Sequence, residues 1–315
     1  MLGQLMESEV SEQPSILARN QQRYFDQLKS AFGGRRFDMV LLAARGSSDN
    51  AALFARYLFE IHLQVPVSLA APSVLTRFGS KVRYSNCLAV GISQSGAAPD
   101  VSEVLASMKA DGHATLAITN TPGSRLTQVS DVSLLLGAGV EKSVAATKTY
   151  TASLLALYEL VRALGANLPD PAGYLPTDNW NGACEEAANR SLGPVLRCSN
   201  LFSLARGYNF CTAQESALKL MECALLACKA YSVADFEHGP KALAGYGSAA
   251  IVYGEDCDHL QKQGCIVVRA PKSQDGPLSP IWDILFGQWL ALTAARARGL
   301  NPDDPQHLQK VTETL

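Results

Sequence analysis

The sequence predicts an α/β protein in which one doubly wound domain is followed by a second of the same design. Three observations carry that prediction. Short apolar runs alternate with helical patterns through the first half, the alternation starts again past residue 200, and 315 residues are about twice what one hydrophobic core usually serves.

The elements follow in order. Residues 1–27 read as an N-terminal helical segment, and 28–168 as the first domain. Met39 to Ala44 is a buried strand, Asn50 to Ile61 a helix, Cys87 to Ile92 a second strand and Pro99 to Ala110 its helix, with Pro99 in the first turn where proline is tolerated. Thr115 to Thr119 and Val132 to Leu136 supply two more strands, and Thr147 to Leu164 a long closing helix. This βαβα order implies a parallel sheet with helices on both faces. Between Gly165 and Ala183 periodicity fades and Pro169, Pro171, Gly173, Pro176 and Gly182 gather, so 169–188 is expected to connect the domains.

The second domain, 189–315 with a C-terminal tail, opens with a strand from Leu201 to Ala205, a turn at Arg206-Gly207 and a helix from Cys211 to Lys229. Ala44-Arg45-Gly46 recurs as Ala205-Arg206-Gly207, 161 residues later and at the same strand-to-helix turn, which supports a tandem repeat. Between the apolar runs Ala249 to Tyr253 and Cys265 to Arg269 there are too few residues for a full βα unit, so the second domain is expected to lack one.

Composition bounds the function. Hydrophobic residues make up 47% and charged residues 18%, an ordinary globular balance. A formal net charge of -2 argues against a nucleic-acid surface. The eight cysteines form no CxxC pair and have no matching histidine spacing, so no zinc or redox motif is signalled, and no metal or other cofactor is expected. Residues 1–20 carry Glu7, Glu9 and Glu12 and no secretory apolar core, and no run reaches the ~18 apolar residues of a membrane span; a cytoplasmic protein without a membrane partner is expected.

Two loops invite a ligand. Gly91-Ile92-Ser93-Gln94-Ser95-Gly96 leaves a strand and opens a helix, so small residues and hydroxyls lie where backbone N–H groups can cradle an anion. Arg45-Gly46-Ser47-Ser48-Asp49-Asn50 occupies the same position on the preceding strand. Such sequences also make ordinary turns and N-caps, but two at one sheet edge favour a ligand. GxxxxGK[ST] and GxGxxG are both absent, which points away from nucleotides and toward a small phosphorylated metabolite. In the second half Glu215, Lys219 and Glu222 fall at i, i+4 and i+7 on one helix face. Spacing alone also fits a solvated stripe, yet the helix is otherwise apolar, and a carboxylate there could serve as a general base. Glu237-His238-Gly239-Pro240 follows at a turn, where His238 can be structural or catalytic, and Lys310 lies near the end.

At these motifs the chain resembles the isomerase half of glucosamine-6-phosphate synthase and its relatives, the two-domain sugar isomerase (SIS) phosphosugar isomerases and deaminases. The resemblance runs from Glu12-Gln13-Pro14 through Arg45-Gly46-Ser47-Ser48, Ser93-Gln94-Ser95-Gly96, Val140-Glu141 and Val144-Ala145-Ala146-Thr147-Lys148 to Glu215, Ala217-Leu218-Lys219, Glu222, His238-Gly239-Pro240 and Leu308-Gln309-Lys310. It implies two flavodoxin-like SIS domains. It further implies that Ser48, Ser93, Gln94 and Ser95 hold a sugar phosphate, that Glu222 moves a proton between C1 and C2, that His238 assists ring opening in a neighbouring subunit's site within a homodimer, and that Lys310 reaches the C1 or C2 substituent. Val144, Ala146, Lys148 and Lys219 would be further substrate contacts. Two departures stand out: Ala97-Ala98 replaces the family's Glu and Thr, and Ala146 its serine.

No glutaminase domain or early nucleophilic cysteine accompanies the chain, so the expected reaction is deamination, glucosamine 6-phosphate giving fructose 6-phosphate and ammonia. A galactosamine-6-phosphate deaminase or a fructosamine-phosphate deglycase would use the same residues. A non-catalytic sugar-phosphate sensor is the rival of another class, set against it by the acid-base set Glu222, His238 and Lys310.

Overall fold

The apolar runs of the first half become strands because helices cover both their faces. In a computed structural model, which describes residues 1–305 and 308–310, the chain opens with α1 (Gln4–Ser11) and α2 (Gln13–Phe32). Then come β1 (Met39–Ala43), α3 (Ser47–His62), β2 (Val67–Leu69), α4 (Ser73–Thr76), β3 (Cys87–Ile92), α5 (Pro99–Ala110), β4 (Ala114–Thr119), α6 (Arg125–Val129), β5 (Val132–Leu135) and α7 (Lys148–Ala163). The five strands are all parallel in the order β2-β1-β3-β4-β5. This is a doubly wound order whose direction reverses between β1 and β3, where open sheets leave a crevice at their carboxyl ends. Leu41, Ala43, Ala89, Val101, Leu105 and Ala117 pack into one buried cluster. Each fully buried aliphatic side chain of valine size or larger contributes roughly 1.5–3 kcal/mol. The short edge strand β2 has no counterpart in the sequence reading, because three half-buried residues give no periodic signal.

The second half repeats the plan in reduced form. After α8 (Asp178–Arg197) come β6 (Asn200–Ala205), α9 (Phe210–Ala224), β7 (Cys228–Ser232), α10 (Val233–Glu237), β8 (Ser248–Val252), β9 (Ile266–Arg269) and α11 (Ser279–Ala297). The four strands are parallel in the order β7-β6-β8-β9, so among the described residues this sheet has no fifth strand. The crossover from β8 to β9 is a single stretch of 3-10 helix, Asp258–Gln263, which explains how so few residues suffice. Two parallel sheets, each flanked by helices, make the tandem α/β architecture that the sequence predicts.

One expectation is corrected. The helix expected to reach Lys229 ends at Ala224, where Leu225 turns left-handed at φ 51°, and from Cys228 to Ser232 the chain pairs in parallel with β6. The run Ala224-Leu225-Leu226-Ala227-Cys228 is apolar enough for either element, and no glycine or proline marks the stop. Within the stretch expected to be connection, α8 begins at Asp178, with Thr177 Oγ1 accepting the Trp180 N–H at 3.3 Å as its N-cap.

By contacts the described residues divide into two compact units. One comprises 16–140 and 149–172 and contains the five-stranded sheet. The other comprises 1–15, 141–148 and 173–310 and contains the four-stranded sheet together with α1. In the latter unit α11 is buried along most of its length and packs on α9. Gly287 permits the approach, since a Cβ there would lie 2.9 Å from both Ser216 Oγ and the Tyr253 hydroxyl, which themselves hydrogen bond at 2.6 Å. Among the described residues no helix is long and apolar enough to cross a membrane.

Candidate functional site

In the five-stranded unit the loops after β1 and β3 flank the reversal point of the sheet. Ser93 lies buried at the end of β3, and its Oγ accepts the Gly96 N–H at 3.1 Å. Ser95 Oγ accepts the Ala97 N–H at 3.3 Å. Both oxygens act as acceptors, which leaves their hydroxyl protons to donate to an anion. The Gln94 carbonyl accepts from the Asn120 N–H at 3.0 Å and the Thr119 hydroxyl at 3.2 Å, tying the loop to the end of β4. Gly96 adopts φ 62°, and a Cβ there would overlap the Ser124 side chain. Ser48, half-buried in the first turn of α3, donates its backbone N–H to the Arg45 carbonyl at 3.1 Å.

The two loops are joined by a pair that the sequence reading did not single out. Arg45 Nε donates to Asp100 Oδ2 at 2.6 Å, and Asp100 is buried in the first turn of α5. The signal was there in part: an arginine directly after one strand and an aspartate just inside the helix after the next.

In the other unit α9 carries Glu215, Lys219 and Glu222. They are no solvated stripe: Glu215 and Lys219 are fully buried, while the side chain of Glu222 is 26% exposed. Lys219 Nζ lies 3.3 Å from Glu215 Oε1 and 2.5 Å from Glu222 Oε2. Burial alone would favour the neutral amine, but the two carboxylates overcome it and raise the lysine's pKa, so Lys219 is a buried cation. Its ammonium holds Glu222 in place through Oε2.

The loop 141–148 is built by carboxylates from elsewhere in the same unit. Glu9 of α1 accepts the backbone N–H groups of Lys142 and Ser143 and the Ser143 hydroxyl. Burial raises the Glu9 pKa, and the Ser143 and Lys142 hydrogen bonds oppose that rise. Glu141, its side chain fully buried, accepts the Thr147 N–H at 3.0 Å. Lys310 Nζ donates to Glu141 Oε2 at 3.0 Å and to the Ser143 carbonyl at 2.7 Å, so the tail lysine sits on this loop. Val144 and Ala146 are half-buried on it, and Lys148, almost wholly buried, ion-pairs with Glu12 at 2.7 Å. Spacing could not reveal Glu9 as an anchor, because 134 residues separate it from Ser143.

His238 stands apart. It is exposed at the end of α10, and among the described residues its ring has no polar partner. The loop around it is fixed by Glu237, which binds Lys241 Nζ at 2.6 Å and His259 Nε2 at 2.8 Å. The Lys241 hydrogen bond, followed by that from His259, lowers the Glu237 pKa. Gly239 at φ 132° makes the bend.

Residues 37–163 match the family model described as the SIS domain. The match assigns an SIS domain to the part of the chain that holds the five-stranded sheet. The chain is 29% identical to the isomerizing glutamine-fructose-6-phosphate aminotransferase of Methanothermobacter thermautotrophicus and 30% identical to that of Xanthomonas campestris, with 97% of the chain aligned in each case. It spans 56% and 58% of the length of these relatives. The solved glucosamine-6-phosphate deaminase of Thermotoga maritima is 26% identical, with a TM-score of 0.82, over 98% of this chain and 100% of that one.

Proposed function

We propose that this protein is a phosphosugar isomerase of the deaminating kind, converting glucosamine 6-phosphate and water into fructose 6-phosphate and ammonia. The observation that carries the reading is the buried Glu215-Lys219-Glu222 set, in which a partly exposed carboxylate is held by an interior cation. A binding-only protein has no need of such a base. The likeness to the Thermotoga maritima deaminase, which spans both chains almost end to end, supports this direction over amino-sugar synthesis.

The phosphate would be held by Ser93 and Ser95, with Ser48 and Gln94 beside them. After ring opening, with proton transfer assisted by His238, Glu222 removes the C2 proton and returns it to C1. The electron pair of the C2–H bond forms the C1–C2 double bond of an enolamine as the C1 carbonyl becomes a hydroxyl. Protonation at C1 leaves an imine at C2, and water displaces ammonia from it. Lys310 would steady the developing charge on the C1 oxygen. The exposure of His238 fits its being offered to the site of a second copy, as the family resemblance implies. The test is the release of ammonia and fructose 6-phosphate from glucosamine 6-phosphate, with galactosamine 6-phosphate alongside. Release from the first supports the reading, and inertness toward both overturns it.

A further inference from the structure

The four-stranded unit has a reversal point of its own, between β6 and β8, and ligand pockets at such points run to about 300–1,000 Å³; the cavity present has a volume of 580 Å³. It is lined by the turn after β6 (Arg206 to Asn209), the loop after β8 (Tyr253 to Asp256), the loop after β9 (Ala270 to Gly276) and the start of α11. These are the positions that, in the five-stranded sheet, carry Ser48 and Ser93 to Ser95.

The chemistry differs. Where the loop after β3 offers Ser93 and Ser95, the loop after β8 offers Glu255 and Asp256. Asp258, Asp275 and Asp283 also face the cleft, and of its cations Arg269 is already paired with Asp258, which leaves Arg206 and Lys272 against a surplus of carboxylates. A phosphate would be repelled. At the floor is Asp283, 4% exposed. Its Oδ2 accepts from Asn209 Nδ2 at 2.7 Å, while among the described residues its buried Oδ1 has no hydrogen-bond partner. A buried carboxylate oxygen left unsatisfied is costly, and an ammonium group supplied by a ligand would satisfy it.

We infer that this cleft is a second ligand site, separate from the sugar-phosphate loops, for a small hydroxyl-rich molecule bearing an ammonium and no phosphate. The ammonium pairs with Asp283 Oδ1 at about pH 7 and above, where the carboxyl is ionised, and the acidic rim at Glu255 and Asp256 favours its entry. The side chains of Ser273 and Gln274 line the same cleft and can meet hydroxyls.

Titration calorimetry on the full chain with free glucosamine, and with glucose as the matched probe lacking the ammonium, tests this. Glucosamine binds at least about tenfold more tightly than glucose, the ratio expected for one hydrogen bond to a charged group. Asp283→Asn abolishes that difference, and Asp256→Lys, a change at the exposed rim that leaves the interior intact, weakens glucosamine several-fold. Ser93→Ala leaves it unchanged. Equal binding of the two sugars, no binding of either, indifference to both aspartate substitutions, or displacement of glucosamine by fructose 6-phosphate would each overturn the assignment.

Discussion

At the scale of single residues, Glu222 and Ser93 have roles that kinetics can separate. Glu222→Gln keeps the shape and a hydrogen bond to Lys219 but loses the basic oxygen, so turnover should fall by about 10²–10⁴ with substrate binding nearly intact. Retained turnover would remove Glu222 from the mechanism. Ser93→Ala deletes a hydroxyl that, on the proposed reading, meets the phosphate and not the reacting carbons, and KM should rise about tenfold with a much smaller change in kcat. An equal loss in kcat would place Ser93 at the reacting carbons instead. Lys219 has a structural duty as well: Lys219→Met strands Glu215 in the interior, at a cost of about 3–5 kcal/mol in urea unfolding. Adding Glu215→Gln should recover a good part of it.

Among the elements, α11 carries the clearest pH signature. Burial, reinforced by the charge of Asp275 and opposed by the Asn209 hydrogen bond, raises the Asp283 carboxyl from 3.8 to about 7. The folded protein therefore binds this proton more tightly than the unfolded chain does. Its contribution to stability is fully present below about pH 3.8 and is lost as the pH rises toward 7. Asp283→Asn should flatten the slope of unfolding free energy over that window by on the order of 3 kcal/mol, as read from urea curves at pH 4, 5.5 and 7. An unchanged slope would mean that Asp283 stays ionised in the fold. The same elements divide what the sequence revealed from what it hid. The strands β1, β3, β4 and β6 were legible because continuous apolar runs end in turn residues. The strand β7 was hidden inside a helical reading, since only its pairing with β6 decides the conformation of Cys228 to Ser232.

For the molecule as a whole, the tandem plan was legible from the repeated Ala-Arg-Gly turn and from the return of strand-helix alternation, even though the family model covers only the first sheet. The i, i+4, i+7 spacing of Glu215, Lys219 and Glu222 pointed to the site, but whether that face was wet or buried depended on α11 packing against α9, which no local pattern encodes. The anchoring of the 141–148 loop by Glu9 and Lys310 was equally out of reach, because those contacts join the two ends of the chain to its middle. The central claim is that this chain moves a proton between C1 and C2 of a sugar phosphate with Glu222 as the base. Incubation with fructose 6-phosphate and ammonium in D₂O, followed by proton NMR of the hexose phosphates, tests it directly. Deuterium should enter at C1 or C2 with the wild-type protein and not with Glu222→Gln, whereas no exchange at either carbon, or equal exchange in the variant, would dismiss Glu222 as the base.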